Sequence, residues 1–173
     1  MSMFLPDIYV KSIYNVNYEN LKNAGIKIIL FDLDNTIVPI NDCIPSARLK
    51  NLFEDIKKLG LKPVIMSNSG KKRVEPFKDG LLVDAACSSL KPLPFKYKKI
   101  MDLYDVKPNE LAAVGDQLLT DILGANSRGI TTILVNPIGT TDFKTTKINR
   151  LIENMIINHY TKKGVFKKGD YYE

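Results

Sequence analysis

The sequence predicts an α/β domain, with helices on both faces of a mainly parallel, doubly wound sheet. Two observations predict it. Short apolar runs rich in branched residues alternate with amphipathic stretches from Ile26 to Val135, as strands joined by right-handed crossover helices do. Successive runs also end abruptly in polar residues, and the carboxyl ends of such strands are where open sheets bind ligands.

In chain order, residues 1–25 form a leader containing Phe4, Tyr9, Tyr14 and Tyr18. It is expected to dock on the domain surface, with a short helix over Tyr18–Ala24 stopped by Gly25. Ile26–Phe31 reads as a strand buried on both faces. Val38–Ile44, with Pro39, Asn41 and Asp42, reads as a loop or tight hairpin. Pro45 and Ser46 start a helix that puts Leu49, Leu52, Phe53, Ile56 and Leu59 on one face and ends at Gly60. Val64–Met66 is the second buried strand. The basic helix Lys71–Lys78 is expected to kink or break near Pro76. Val83–Cys87 is a short strand that leaves through Ser88–Pro92. Pro94–Tyr104 is a helix with Tyr97, Ile100, Met101 and Tyr104 inward. Leu111–Val114 is a strand closed by Gly115-Asp116, Leu118–Arg128 a helix stopped by Gly129, and Thr131–Val135 the last strand.

Beyond it, Thr145–Tyr160 carries Ile148, Leu151, Ile152, Met155, Ile156 and His159 at helical spacing, read as a core-packing stripe in preference to a membrane-inserting one. His159 lies far from every polar strand end and receives no catalytic role. The tail, 161–173, mixes Lys162, Lys163, Lys167 and Lys168 with Phe166, Tyr171 and Tyr172; it is either disordered or a basic-aromatic contact surface. The whole chain, 1–173, reads as one domain: leader 1–25, core 26–136, C-terminal helix and basic tail 137–173.

Composition narrows the function classes. With 45% hydrophobic residues and mean hydropathy −0.10, the chain can bury a sizeable core. No run approaches the roughly 20 apolar residues of a membrane span. The first residues lack the charged and apolar regions of a secretion signal, so a cytoplasmic location is expected. Cys43 and Cys87 have no metal or disulfide spacing and read as small hydrophobes. A net charge of +6 and pI near 9.2 favour an anionic partner: a phosphate ester, nucleic acid or an anionic membrane face.

The first strand ends in Asp32-Leu33-Asp34-Asn35-Thr36. Two acids crowded at a buried strand end are costly without a counter-charge, and a divalent cation would supply it. Asp32 is placed to attack phosphorus, and Asp34 to protonate the leaving oxygen and then activate water. Ser67, at the second strand end, offers a hydroxyl and neighbouring N–H groups to phosphoryl oxygens, with Asn68 beside it. Lys91 supplies a positive charge to the nucleophile and the transferring group. Asp116 would share the cation with Asp32, and Asp121 would hold cation-bound water or orient Lys91. Each pattern alone is commonplace; all four in order, each following a strand, are not.

Phe31-Asp32-Leu33-Asp34-Asn35-Thr36, Ser67-Asn68, Lys91-Pro92 and Gly115-Asp116-Gln117-Leu118-Leu119-Thr120-Asp121 resemble the four motifs of the haloacid dehalogenase (HAD) superfamily. The resemblance implies a Rossmann-like three-layer fold and a Mg²⁺-dependent aspartyl-phosphate mechanism. It also implies metal binding by the Asp32 side chain, the Asp34 backbone carbonyl and Asp116. The leader, Leu5-Pro6-Asp7 and Tyr9-Val10-Lys11-Ser12-Ile13-Tyr14, together with Asn136-Pro137, is similar to the YqeG-type members of subfamily IIIA. Those are similar in turn to phosphatidylglycerophosphate phosphatases, which implies that lipid as the substrate.

Only 32 residues separate Asp34 from Ser67, and 23 separate Ser67 from Lys91. Neither gap can hold a cap domain beyond the helix and strand already placed there. An uncovered site suits a substrate whose bulk stays outside, such as a lipid headgroup, a phosphoprotein or a nucleic-acid end; alternatively, a second subunit could act as lid. Lys71, Lys72, Arg73, Lys96, Lys98 and Lys99 would suit peripheral contact with an anionic membrane. Nucleic acid is the weaker choice, since no aromatic stacking platform accompanies the motifs. The competing readings are a phosphatase of soluble esters and a non-catalytic binding module; Asp32, Asp34, Lys91 and Asp116 together argue against the latter.

Overall fold

Why these residues make a sheet is plain at its centre. β2, Ile28–Phe31, and β5, Leu111–Gly115, are buried at every position, so neither face can tolerate a polar side chain. The computed structural model describes residues 2–139 and 144–173. Among the described residues, six strands form one parallel sheet: β1 (Ile8–Val10), β2, β3 (Lys62–Met66), β4 (Asp84–Ala86), β5 and β6 (Thr131–Val135), in the order β1-β6-β5-β2-β3-β4.

Alternation along β2 divides the core. Ile29 and Phe31 pack in the larger cluster with Leu49, Phe53 and Ile56 of α2 (Ala47–Lys58). Ile28 and Leu30 pack in a second cluster with Tyr97 and Ile100 of α4 (Phe95–Tyr104). The Ser46 side chain caps α2 by accepting from the Leu49 N–H at 3.2 Å, satisfying one of the otherwise unpaired first-turn donors. Register fixes the site's edge: Phe31 lies opposite both Ile65 and Val114. The residues that follow these three strands therefore emerge side by side.

Several expectations need correction. The leader is not merely docked on the surface. Besides α1 (Tyr18–Asn23), its Ile8–Val10 adds an edge strand beside β6, and Tyr9 and Ile13 are buried. The tail is ordered against it: the Tyr9 and Tyr172 backbones exchange N–H···O bonds of 2.8 Å, and Phe166 is buried against Tyr9. Short segments this far apart in sequence give no periodic signal of pairing.

The helix α3, Lys71–Leu81, runs unbroken through Pro76. Pro76 is exposed and forfeits one bond on the solvent side, while Val74, Phe77 and Leu81 anchor the buried face. The expected helix 118–128 is a wide π turn, Leu118–Ile122, followed by α5, Leu123–Asn126.

In α6, Lys144–Lys162, the expected apolar stripe forms the buried face only at Ile156, half-buried against the cluster of Tyr9, Leu118 and Phe166. Leu151, Ile152 and Met155 are exposed, whereas Glu153 is buried. The ion pairs of Arg150 and Glu153 described below turn that polar side inward. The Ile148 side chain lies outside the described residues, and His159 is exposed. Cys43 is exposed and Cys87 half-buried, both as free thiols. No described helix is long and apolar enough to cross a membrane.

Candidate active site

At the end of β2 the chain leaves the sheet in a tight turn. The Asp32 N–H still donates to the Val114 carbonyl at 2.9 Å, and the Asn35 N–H turns back to the Val38 carbonyl at 2.8 Å. Asn35 takes the left-handed conformation, φ 64°, which asparagine tolerates better than most residues. The turn lets Asp32 and Asp34 line one cleft, although two-residue spacing on a straight strand would have aimed both along a single face.

The floor of the cleft is a chain of buried charges. Lys91 Nζ donates to Asp32 Oδ1 at 2.7 Å and to Asp121 Oδ1 at 2.6 Å, all three side chains being almost wholly enclosed. The Lys91 backbone is clamped by Asn68, whose Oδ1 accepts its N–H at 2.7 Å and whose amide donates to its carbonyl at 3.2 Å. Asn68, expected among the phosphate binders, lines the cleft and has both amide heteroatoms on the Lys91 backbone.

Asp116 and Asp121 come from the loop after β5. The π turn aims Asp121 back beneath the strand ends, where its Oδ2 accepts the Gln117 N–H at 3.1 Å. Gly115 permits the approach: a Cβ there would lie 2.2 Å from the Asp121 carboxyl carbon. Thr36 Oγ1 lies 3.0 Å from Asp116 Oδ1 and 3.2 Å from Asp32 Oδ2, between the two carboxylates.

The rim is built differently. Asp34 Oδ2 accepts from the Ser69 hydroxyl at 2.6 Å, and its Oδ1 pairs with Arg73 Nε at 2.9 Å. Arg73 also reaches the carbonyls of Pro39 and Asp42 and lies over the Phe77 ring. It binds the loop after β2 to the start of α3. Ser67 is buried, with its Oγ accepting from the Ser69 N–H at 3.0 Å. From α6, Arg150 pairs with the Asp116 carboxylate, bonds its backbone carbonyl at 2.8 Å and reaches Glu153 at 3.2 Å. Glu153 in turn accepts the Leu119 N–H at 3.0 Å.

Burial dominates the electrostatics. It pushes the Asp32 carboxyl up to about 7, helped by the negative charges of Asp121 and Asp116 and opposed by Lys91. It likewise raises Asp116 to about 6 against the pull of Arg150. For Lys91, burial disfavours the ammonium, but Asp121 and Asp32 outweigh it and hold the group well above the ordinary lysine value.

Asp32, Asp116 and Asp121 each bring a carboxylate oxygen within 4.8 Å of the others. Three acids this close repel one another, and a hard divalent cation relieves that repulsion while taking oxygen ligands. The donor set therefore fits such a cation. Asp34 is outside this cluster by its side chain, which leaves its expected backbone carbonyl as the contribution it could make. The cleft measures about 550 Å³ and is lined by Asp32, Asp34, Ser67, Asn68, Lys91 and Gln117, among others. The spans 35–66 and 68–90 hold no domain that could cover it.

All seven sequence-predicted residues thus converge on this edge: five line the cleft, and Asp116 and Asp121 form the layer beneath. Sequence reasoning assigned no site role to Thr36, Ser69, Arg73, Arg150 or Glu153. Thr36 and Ser69 were legible as hydroxyls inside the motifs. Arg73 was read as a membrane-facing cation, and nothing local marks Arg150, which lies 34 residues from Asp116.

A family model described as mitochondrial PGP phosphatase matches residues 1–140. A Bacillus subtilis protein named probable phosphatase YqeG is 37% identical over 93% of this chain and 94% of its own length. The chloroplastic/mitochondrial phosphatidylglycerophosphate phosphatase 1 of Arabidopsis thaliana is 26% identical over 93% of this chain, which spans 49% of that protein. Among solved structures, the cobalt-bound deoxy-D-mannose-octulosonate 8-phosphate phosphatase of Haemophilus influenzae superposes with a TM-score of 0.53. It shares 14% identity and covers 84% of this chain and 95% of its own.

Proposed function

We propose that this chain, which belongs to the mitochondrial PGP phosphatase family and is a phosphatase of the haloacid dehalogenase type, removes the terminal phosphate of phosphatidylglycerophosphate. Its cofactor in this reading is Mg²⁺. The observation that carries the chemistry is the Asp32–Lys91–Asp121 chain beside Asp116 on the floor of an uncovered cleft.

Asp32 attacks the phosphorus. Its bond to phosphorus forms as the bond to the glycerol oxygen breaks, and Asp34 hands that oxygen its proton. Water then attacks the aspartyl phosphate, giving its proton to Asp34 and releasing inorganic phosphate with Asp32 restored. Lys91 fixes one Asp32 oxygen and balances charge on the transferring group. Ser67 presents its hydroxyl to the phosphoryl oxygens. Asp121 orients Lys91, and Ser69 with Arg73 orients Asp34. Asp32, Asp116 and the Asp34 carbonyl would hold the divalent cation, which when bound neutralises the phosphoryl charge.

The lipid assignment is supported by the family match and by the lack of a cap, which leaves room for the bulk of the substrate outside the cleft. Contact with an anionic membrane from the site edge belongs to the same reading. It is tested by measuring phosphate release from phosphatidylglycerophosphate in mixed micelles against a panel of soluble phosphate esters. The lipid should be preferred by at least a hundredfold in kcat/KM. Soluble esters turning over faster by orders of magnitude would defeat the substrate assignment and leave the phosphatase chemistry standing.

A further inference from the structure

The loop that delivers Lys91 does something the floor chemistry does not need. Lys91 is 7% exposed, yet its neighbours Leu90, Leu93 and Phe95 are 63%, 47% and 68% exposed. A tight turn, with the Leu93 N–H donating to the Leu90 carbonyl at 2.8 Å, sends the lysine in and leaves the apolar side chains out. Ser88 and Leu90 both sit in the left-handed backbone region, at φ 47° and 56°, a costly conformation for a bulky residue. Three large apolar groups held in water, Leu90 among them on that costly backbone, mark a surface that something else covers.

The surroundings say what covers it. The six described strands are parallel, so the loops after β3 and β4 leave on the edge where the cleft opens, and Pro92 of this turn lines the cleft itself. From Ala86 to Met101 the chain has four lysines, Lys91, Lys96, Lys98 and Lys99, and no acidic residue. Lys71 and Lys72, exposed in the first turn of α3, start from the same edge; Lys71 pairs with Glu75 at 3.3 Å, within the same helix. Exposed apolar groups and cations that share one edge complement an anionic interface that has an apolar interior.

We propose that Leu90, Leu93 and Phe95 enter an anionic phospholipid bilayer, with Lys71, Lys72, Lys96 and Lys98 on its headgroups, so that the cleft opens onto the membrane surface. The inference rests on the lipid reading above and adds to it the side chains that would bring enzyme and substrate together.

The sequence contains no tryptophan, so Phe95→Trp supplies a single indole that can be excited apart from the tyrosines. With vesicles of phosphatidylcholine and phosphatidylglycerol its emission should shift to the blue and be quenched by brominated acyl chains. Unchanged emission would overturn the proposal. In vesicle sedimentation, Leu93→Ser/Phe95→Ser should lose at least tenfold in binding at low salt while hydrolysing a soluble aryl phosphate within about twofold of the parent. Lys96→Ala/Lys98→Ala should lose binding to anionic vesicles and become less sensitive to salt. Parent protein that ignores anionic vesicles, as it would if the patch met another protein, overturns the proposal, and so does serine-variant binding equal to the parent's. Lipid hydrolysis in micelles without vesicle binding would sink this surface and leave the substrate reading intact; vesicle binding without lipid hydrolysis would do the reverse.

Discussion

The floor and the rim of this cleft are held by different means. Asp32, Lys91, Asp116 and Asp121 are buried, fixed by strand ends, a π turn and direct ion pairs a few ångströms long. Asp34 stands on a loop whose position depends on Ser69 and on Arg73, a residue 39 positions away. A floor built this way is rigid and intolerant of lost charge. A rim built from one arginine to several loop oxygens can yield, and a substrate has to pass it.

The largest effect is expected at Lys91. Lys91→Met removes the only cation bonded to both Asp32 and Asp121 among the described residues and leaves two buried acids uncompensated. Breaking such a pair costs about 3–5 kcal/mol when the charge stays buried. We expect at least a 10³-fold loss of kcat with a lowered melting temperature near neutral pH, measured by steady-state kinetics and thermal denaturation. Lys91→Met with near-parental turnover would mean that the floor is not one electrostatic unit.

Gly115→Ala probes the same layer through shape. The added methyl would overlap the Asp121 carboxyl carbon, 2.2 Å away, so Asp121 must move and Lys91 lose its support. Activity should fall about 10- to 100-fold, whereas Gly60→Ala, with nothing within 4 Å of an added Cβ but a backbone at φ 84°, should lower stability and leave turnover unchanged.

At the rim, Arg73→Lys should cost about tenfold in kcat with the fold intact, because an ammonium cannot hold the Asp34 carboxylate and the loop carbonyls at once. An Arg73→Lys enzyme with unchanged kcat but weakened vesicle binding would instead assign Arg73 to the membrane face.

The smallest effect separates the regions by pH. Burial raises Asp32 to about 7 and Asp116 to about 6, above an unfolded-chain value of about 4. Between these values the folded, metal-free protein binds more protons than the unfolded chain. The contribution of these groups to stability therefore falls as pH rises from about 4 to 7. A bound cation favours their charged forms, so Mg²⁺ should raise the melting temperature more at pH 8 than at pH 5. Asp116→Asn should reduce that difference, while Arg73→Lys should leave it in place. An equal Mg²⁺ effect at both pH values would contradict the floor's role as the cation site.

These differences also explain what could be read beforehand. Strands and floor were legible because one continuous segment supplies each part: an apolar run, then Asp32 or Asp116 straight after it. The α2 face was legible from the spacing of Leu49, Phe53 and Ile56. What escaped depends on distant partners. β1 pairs with β6 and with the tail, and three residues carry no periodicity. Arg73 looked like one more lysine-rich helix cation until the loop oxygens around it were visible. In α6, the apolar spacing pointed inward, but Arg150 and Glu153 found buried partners at Asp116 and Leu119. Their pairing placed Leu151 and Met155 in solvent.

The central claim is that Asp32 carries the phosphoryl group. Acid-quenching the enzyme during turnover with Mg²⁺ and mapping phosphoryl mass by peptide spectrometry tests it directly. A phosphoryl group is expected on the Asp32 peptide, stable in acid and lost with hydroxylamine, and none in Asp32→Asn, whose turnover should fall at least 10³-fold. Steady phosphate release from Asp32→Asn, or an unmodified Asp32 peptide from enzyme quenched under conditions where breakdown of the intermediate limits turnover, would contradict it.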